Sequence, residues 1–330
     1  MRFYLVFILI LFSVNGFSQR QIIAHRGASS IAPENTMASF TKAIELGVEC
    51  IEVDIRFSKE DSLMVIHDET LDRTTGGSGD VDQFSYDELK SLSAGYEKKF
   101  GSKFTNEKIP TLFEVLNLAK GKVKVCMDIK NSPEGPVLDL VEKMSMKSSV
   151  YIMSYNVEKL RRIKSMDSQI QTVFIKNTLT SIDLEVAKEI GAHAVSGAYI
   201  SLLSLVDEAH KKGLKFWIGI VNDPAKTGRM FNHHVDAVFT DYPQLMTMNT
   251  EKQILAHPNP FCDYVTIRLK RPENVQEIYI VDFKGAIVQK FEKPFTSVFL
   301  WNPGKDLRKG WYLIYVVNDE KINFEKILYN

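Results

Sequence analysis

The chain has 330 residues, enough for about two domains at roughly 150 residues each. Lys and Arg total 41, as do Asp and Glu, so the formal net charge is zero, which argues against nucleic-acid binding as the main task. Hydrophobic residues make up 45% and charged residues 25%, the balance of a folded protein with a real core, and the 3 cysteines lack a Cys-x-x-Cys pair, so neither a disulfide framework nor a zinc or redox motif is expected.

The N-terminus reads as a targeting segment. Arg2 precedes an apolar run from Phe3 to Phe12, and Gly16-Phe17-Ser18 gives a small-x-small cleavage pattern, so residues 1–18 are expected to be a secretory signal peptide. The uncharged stretch Phe3–Gln19 is shorter than the ~20 residues of a membrane-spanning helix, and no later stretch is long and apolar enough, so no transmembrane helix is expected in the mature chain.

From Gln21 to about Met248, β-rich runs alternate with amphipathic helical patterns, the signature of parallel βα units. The predicted strands are Gln21–Ala24, Cys50–Phe57, Val123–Ile129, Val150–Ser154, Thr172–Ile175, Ala194–Ser196, Phe216–Val221 and Ala237–Thr240. Helical patterns between them include Thr36–Leu46, Val137–Met144, Val157–Lys164, Ile182–Ile190 and Leu202–Lys212. Eight such strands over residues 20–250 fit a (β/α)8 TIM barrel, with a doubly wound sheet as the alternative from pattern alone. The stretch 68–110, with a helix-like segment Ser85–Ser91, reads as a small insertion after strand two. Beyond Pro258-Asn259-Pro260 the pattern changes to six short strands from Tyr264–Leu269 to Asn323–Leu328, so residues 255–330 are expected to form a small all-β sandwich.

Chemistry-bearing residues fall at strand ends, where a barrel carries its active site. His25-Arg26-Gly27 follows Ile22-Ile23-Ala24, and His67-Asp68 closes Leu63–Ile66. In Ile51-Glu-Val-Asp-Ile55, Glu52 and Asp54 share one side of the strand, as do Asp128 and Lys130 in Cys126-Met-Asp-Ile-Lys130. Bare inward carboxylates are costly to bury, and a shared cation resolves the cost. Three carboxylates, Glu52, Asp54 and Asp128, with no thiolate or His-x-x-x-His pair suit a hard divalent cation, Ca²⁺ or Mg²⁺. His25 and His67 can act as general acid and base, and Arg26 and Lys130 supply positive charge for an anion, together the parts for phosphoryl transfer. Glu34-Asn35-Thr36 reads as a helix cap and Gly76-Gly77-Ser78-Gly79 as a turn. By parity Cys50 and Cys126 also point into the barrel, as free buried thiols or as a disulfide.

Ile23-Ala-His-Arg-Gly-Ala28, Ala32-Pro-Glu-Asn-Thr36, Ile51-Glu-Val-Asp54, Val65-Ile-His-Asp68 with Leu71-Asp-Arg-Thr-Thr75, and Phe239-Thr-Asp-Tyr-Pro243 resemble, in order, the glycerophosphodiester phosphodiesterase family. The resemblance implies a TIM barrel, a bound divalent cation, and cleavage of glycerophosphodiesters to glycerol 3-phosphate and an alcohol. It matches His25 and His67 to the catalytic histidines and Glu52 and Asp54 to metal ligands. Asp128 stands where the family usually has Glu, one methylene longer, while Lys130 keeps its place. Trp217, in Trp217-Ile-Gly-Ile-Val-Asn222, stands two residues early against the family's Trp-Thr-Val-Asn; its expected role is an apolar substrate wall. Which histidine is acid and which is base stays open. A phospholipase of the same superfamily acting on lysophospholipids, and a non-catalytic surface binding protein on a degenerate barrel, are the alternatives.

His257-Pro-Asn-Pro-Phe261, Asp282-Phe-Lys-Gly285, Lys309-Gly-Trp-Tyr312 and Glu325-Lys-Ile-Leu328 resemble the type A sorting domain of the type IX secretion system. That resemblance implies Sec export, then passage across the outer membrane by the type IX secretion machinery, to the surface or the medium; if the tail is not a sorting signal, the expected location is the periplasm.

Overall fold

The computed structural model describes residues 20–130, 133–198, 203–246, 254–257, 259–269, 272–282, 284–293, 295–304, 307–318 and 322–330. The expected signal segment, 1–18, lies outside the described residues. The first part folds as strands β1 (Gln21–Ala24), β2 (Cys50–Phe57), β3 (Leu63–Val65), β4 (Lys124–Ile129), β5 (Val150–Ser154), β6 (Gln171–Lys176), β7 (Ala194–Gly197), β8 (Lys215–Ile218) and β9 (Ala237–Thr240). All but β3 pair in parallel, in the order β1-β9-β8-β7-β6-β5-β4-β2, and β1 pairs with β2 to close the ring. The sheet is therefore a TIM barrel and not an open doubly wound sheet. The final predicted strand boundary moves most at β8, which ends at Ile218 rather than Val221.

Strand alternation divides the apolar residues into two cores. Along β2, Ile51, Val53 and Ile55 face the surrounding helices, whereas Cys50, Glu52 and Asp54 take the inward parity. The lower interior is filled by Ile23, Cys50, Cys126, Tyr151, Trp217 and Phe239, among others. Cys50 and Cys126 are both free and buried. Those layers fill the lower interior of the barrel, and above them the carboxyl ends of the strands leave room for a ligand.

The insertion starts as a hairpin, β3 lying antiparallel to β2. Leu71, Val81, Leu89, Ala94 and Ile109 then pack with Met64 and Ile66 in a small separate cluster. Ser85 caps the helix Tyr86–Ser91 and Glu88 completes the capping box. The Gly-rich segment is a turn, closed by Asp72, which accepts from Ser78 Oγ at 2.6 Å and from the Gly79 amide at 3.2 Å.

The C-terminal part contains β10 (Ile254–His257), β11 (Val265–Leu269), β12 (Val275–Asp282), β13 (Ile287–Phe291), β14 (Val298–Trp301), β15 (Gly310–Asn318) and β16 (Ile322–Tyr329). They form two antiparallel sheets, β10-β11-β14 and β13-β12-β15-β16. Ile254, Val265 and Ile267 from one sheet share a core with Ile278, Ile280 and Ile314 from the other. The strand that the sequence pattern missed, β10, lies just before the Pro-Asn-Pro turn. Asn259 explains part of that turn: its Nδ2 donates to the Lys326 carbonyl at 2.7 Å and its Oδ1 accepts from the Leu328 amide at 2.9 Å. Among the described residues, no helix is long and apolar enough to cross a membrane.

Candidate active site

The loop after β1 is shaped for close approach. Arg26 adopts φ 57° and Gly27 φ 80°. A Cβ on Gly27 would lie 2.4 Å from Ser39 Oγ, so only glycine fits. Arg26 is held in its left-handed conformation by its amide, which donates to Glu52 Oε2 at 2.8 Å. Its guanidinium reaches Glu34 Oε1 at 2.7 Å and Asp54 Oδ2 at 3.3 Å.

Glu52, Asp54 and Asp128 converge above the apolar layers, each offering an oxygen within 4.8 Å of the others. Register explains the meeting, since Asp54 and Asp128 are direct neighbours across β2 and β4. Asp54 is fixed by Asn35, whose Nδ2 donates to Oδ2 at 2.8 Å, and by Lys130 Nζ at 3.0 Å; Lys130 also donates to Asp128. Burial, then Asp54, raises the pKa of Glu52, and burial also raises that of Asp128. Burial pushes Asp54 the same way, but Lys130 and Arg26 outweigh it and hold this carboxylate ionised. Two carboxyls held towards their neutral forms beside one anion mark a deficit of positive charge, which the three oxygen donors could meet by holding a divalent cation.

Two histidines face the same cavity, of about 280 Å³. His25 Nδ1 lies 2.8 Å from Asp241 Oδ1, and Asp241 is braced by Asn222 Nδ2 at 2.8 Å and Ser29 Oγ at 3.2 Å. Burial pushes Asp241 up, but the His25, Asn222 and Ser29 bonds bring it to about 2. His67 Nδ1 lies 2.6 Å from Asp68 Oδ1. Arg73 grips that carboxylate with Nε at 2.5 Å and Nη2 at 2.9 Å, holding it well below the usual range. With both carboxylates ionised and able only to accept, each Nδ1 carries the proton and each Nε2 is left for chemistry.

The histidines differ in charge preference. Burial lowers His25, yet the Asp241 bond and Glu52 outweigh it and raise the net value above 6.5. Burial lowers His67 too, and there Arg26 and Lys130 oppose Asp54 and Asp68, leaving it below 6.5.

Residues 25–245 match the model of the glycerophosphoryl diester phosphodiesterase family. The chain belongs to that family, and so is an enzyme of the phosphoric diester hydrolase class. It is 35% identical over 233 residues to a glycerophosphodiester phosphodiesterase of Caldanaerobacter subterraneus subsp. tengcongensis, covering 68% of this chain and 95% of the relative. It is also 30% identical to a glycerophosphodiester phosphodiesterase of Bacillus subtilis, covering 68% of this chain and 84% of the relative. Among solved structures, a phosphodiesterase from Oleispira antarctica in complex with the product sn-glycerol-3-phosphate is similar with TM-score 0.64 at 27% identity, covering 69% of this chain and 95% of that one. Residues 255–330 match the secretion system C-terminal sorting domain.

Seven of the eight residues singled out in the sequence line this phosphodiesterase's cavity: His25, Arg26, Glu52, Asp54, His67, Asp128 and Lys130. Trp217 does not. It is 2% exposed and packs one layer lower, its ring 4.9 Å from Tyr151 and 6.0 Å from Phe239. Two residues on, at cavity height, stands Gly219, where a Cβ would lie 2.5 Å from Phe239 Cβ, so Phe239 supplies the aromatic surface instead. Tyr155 and Ile220 also line the cavity, although 57% and 45% exposed. Sequence reasoning passed over Asn35, Asp68, Arg73, Asn222 and Asp241 as members of the site. Asp68 and Asp241 carried a readable signal, each being an acid at a strand end; Arg73 and Asn222 also lie within family-like motifs, but nothing in their spacing showed that they brace Asp68 and Asp241.

Proposed function

We propose that the barrel hydrolyses glycerophosphodiesters to glycerol 3-phosphate and an alcohol, with His67 as general base and His25 as general acid. The observation that supports this most is the meeting, in one cavity, of two histidines of opposite charge preference with a buried carboxylate cluster and two basic side chains. Glu52, Asp54 and Asp128 would hold Ca²⁺ or Mg²⁺, which when bound polarises the phosphoryl group. Arg26 and Lys130 neutralise phosphate charge as it grows in the transition state. His67 Nε2 takes the proton of the nucleophile, the glycerol 2-hydroxyl or a water, and His25 Nε2–H protonates the departing alkoxide; attack by water gives glycerol 3-phosphate directly, whereas attack by the 2-hydroxyl gives a cyclic phosphate that a water must then open. Release of glycerol 3-phosphate from glycerophosphocholine and related diesters should vanish with EDTA and return with Ca²⁺ or Mg²⁺. Undiminished release in excess EDTA would refute the cation's role, and no release under any metal would refute the activity.

Export follows from the two ends of the chain. Residues 1–18 direct Sec export, and the sorting domain then carries the enzyme across the outer membrane through the type IX machinery, a reading that the family match of the tail supports. Mass spectrometry of the extracellular protein should find the N-terminus near Gln19 and the tail removed; a chain still ending at Asn330 would favour a permanent module.

A further inference from the structure

The insertion reaches back into the active site through Asp68 and, behind it, Arg73. Arg73 uses both edges of its guanidinium: Nε and Nη2 hold Asp68 at 2.5 and 2.9 Å, while Nη1 and Nη2 hold Glu34 at 2.8 Å each. Asp68 in turn holds His67 Nδ1, and Glu34 Oε1 accepts from Arg26 at 2.7 Å. The guanidinium is backed by Tyr96, whose ring centroid lies 5.6 Å from Arg73 Cζ. Glu34 is buried to 10% exposure and its carboxyl is held ionised, since the Arg73 and Arg26 bonds outweigh burial.

We propose that Arg73 is a positioning residue for hydrolysis, a clamp between two carboxylates that sets His67 and Arg26 at a fixed separation on the phosphate. A lysine ammonium can bridge two carboxylates, as Lys130 does with Asp54 and Asp128, but only a planar fork makes paired bonds to both in fixed directions, so the clamp requires arginine and not merely positive charge. It also gives the insertion a task in the reaction: by carrying Arg73, the segment that follows His67 locks the tautomer and aim of that histidine. The proposal rests on the phosphodiesterase reading above.

The test is a double-mutant cycle on the full mature chain with Ca²⁺ or Mg²⁺ present. Arg73→Gln should lower kcat on the order of 10- to 100-fold with a smaller change in KM, as loss of an outer partner of an active group does. In a His67→Ala background the same change should cost clearly less than in the wild type, leaving only the part exerted through Glu34 and Arg26, because what acts through His67 is not additive with its loss. Arg73→Lys should behave like Arg73→Gln. Losses that multiply in the double variant, or wild-type kcat in Arg73→Lys, would overturn the clamp. If Arg73→Gln does not fold, Asp68→Asn cuts the same chain of contacts and is judged by the same cycle. A downfield Nδ1 proton resonance, assigned to His67 by its loss in His67→Gln, should weaken or move in Arg73→Gln. That signal judges the clamp even if the wild type releases no glycerol 3-phosphate, a result that would sink the phosphodiesterase reading alone.

Discussion

His25 and His67 are both pinned at Nδ1 by a carboxylate, at 2.8 and 2.6 Å, yet their surroundings push them in opposite directions. Asp241, behind His25, is braced by neutral groups, the Asn222 amide and the Ser29 hydroxyl, and Glu52 adds negative charge nearby. Asp68, behind His67, is gripped by the Arg73 cation, and Arg26 and Lys130 add positive charge. A His–Asp pair therefore does not define a role. Burial lowers both rings, and the charges around each decide the net direction: Asp241 and Glu52 against Arg26 at His25, and Asp54 and Asp68 against Arg26 and Lys130 at His67.

The largest expected effect is loss of either ring. His25→Ala and His67→Ala should each lower kcat by ~10²–10⁴-fold, the usual value of one acid or base. Near-wild-type turnover in either variant would break the comparison at once. Next comes removal of the pinning charge: Asp241→Asn and Asp68→Asn should each cost on the order of 10- to 100-fold. A smaller effect separates the two rings by pH. The working form has His67 neutral and His25 protonated, so kcat/KM should fall on acidification through a pKa below 6.5 and on alkalinisation through one above 6.5. Asp241→Asn removes a partner that raises His25, so it should move the alkaline limb down in pH and leave the acidic limb in place. The smallest kinetic effect is expected at Trp217, which lies below the cavity. Trp217→Ala should cost about 3–5 kcal/mol in chemical denaturation while changing KM less than about 3-fold. A large rise in KM with unchanged stability would return Trp217 to the substrate wall.

Much of this was legible in the sequence because period-two alternation is a strong constraint. Once Val53 and Ile55 face the helices, Glu52 and Asp54 must face inward, and the same rule places Asp128 beside Asp54. Height along the barrel was less legible than side. Trp217 kept its expected inward parity but sits one layer too low, since parity repeats every two residues while strand stagger sets the level. Contacts that fold back over long separations were invisible: Arg73 meets Glu34 across 39 residues, and Asp241 meets His25 across 216. Asn35 shows a further limit. Its neighbour Thr36 does cap the helix Met37–Glu45 as the pattern implied, yet Asn35 itself turns inward at φ 55° to hold Asp54.

The opposed roles of the two histidines are tested most directly by changing the leaving group. An alkoxide needs a proton to depart, whereas a p-nitrophenolate does not, so a p-nitrophenyl phosphodiester should bypass the acid and still need the base. Turnover of that diester, relative to glycerophosphocholine, should recover most of the lost rate in His25→Ala and almost none in His67→Ala. Recovery in His67→Ala with none in His25→Ala would contradict the assignment.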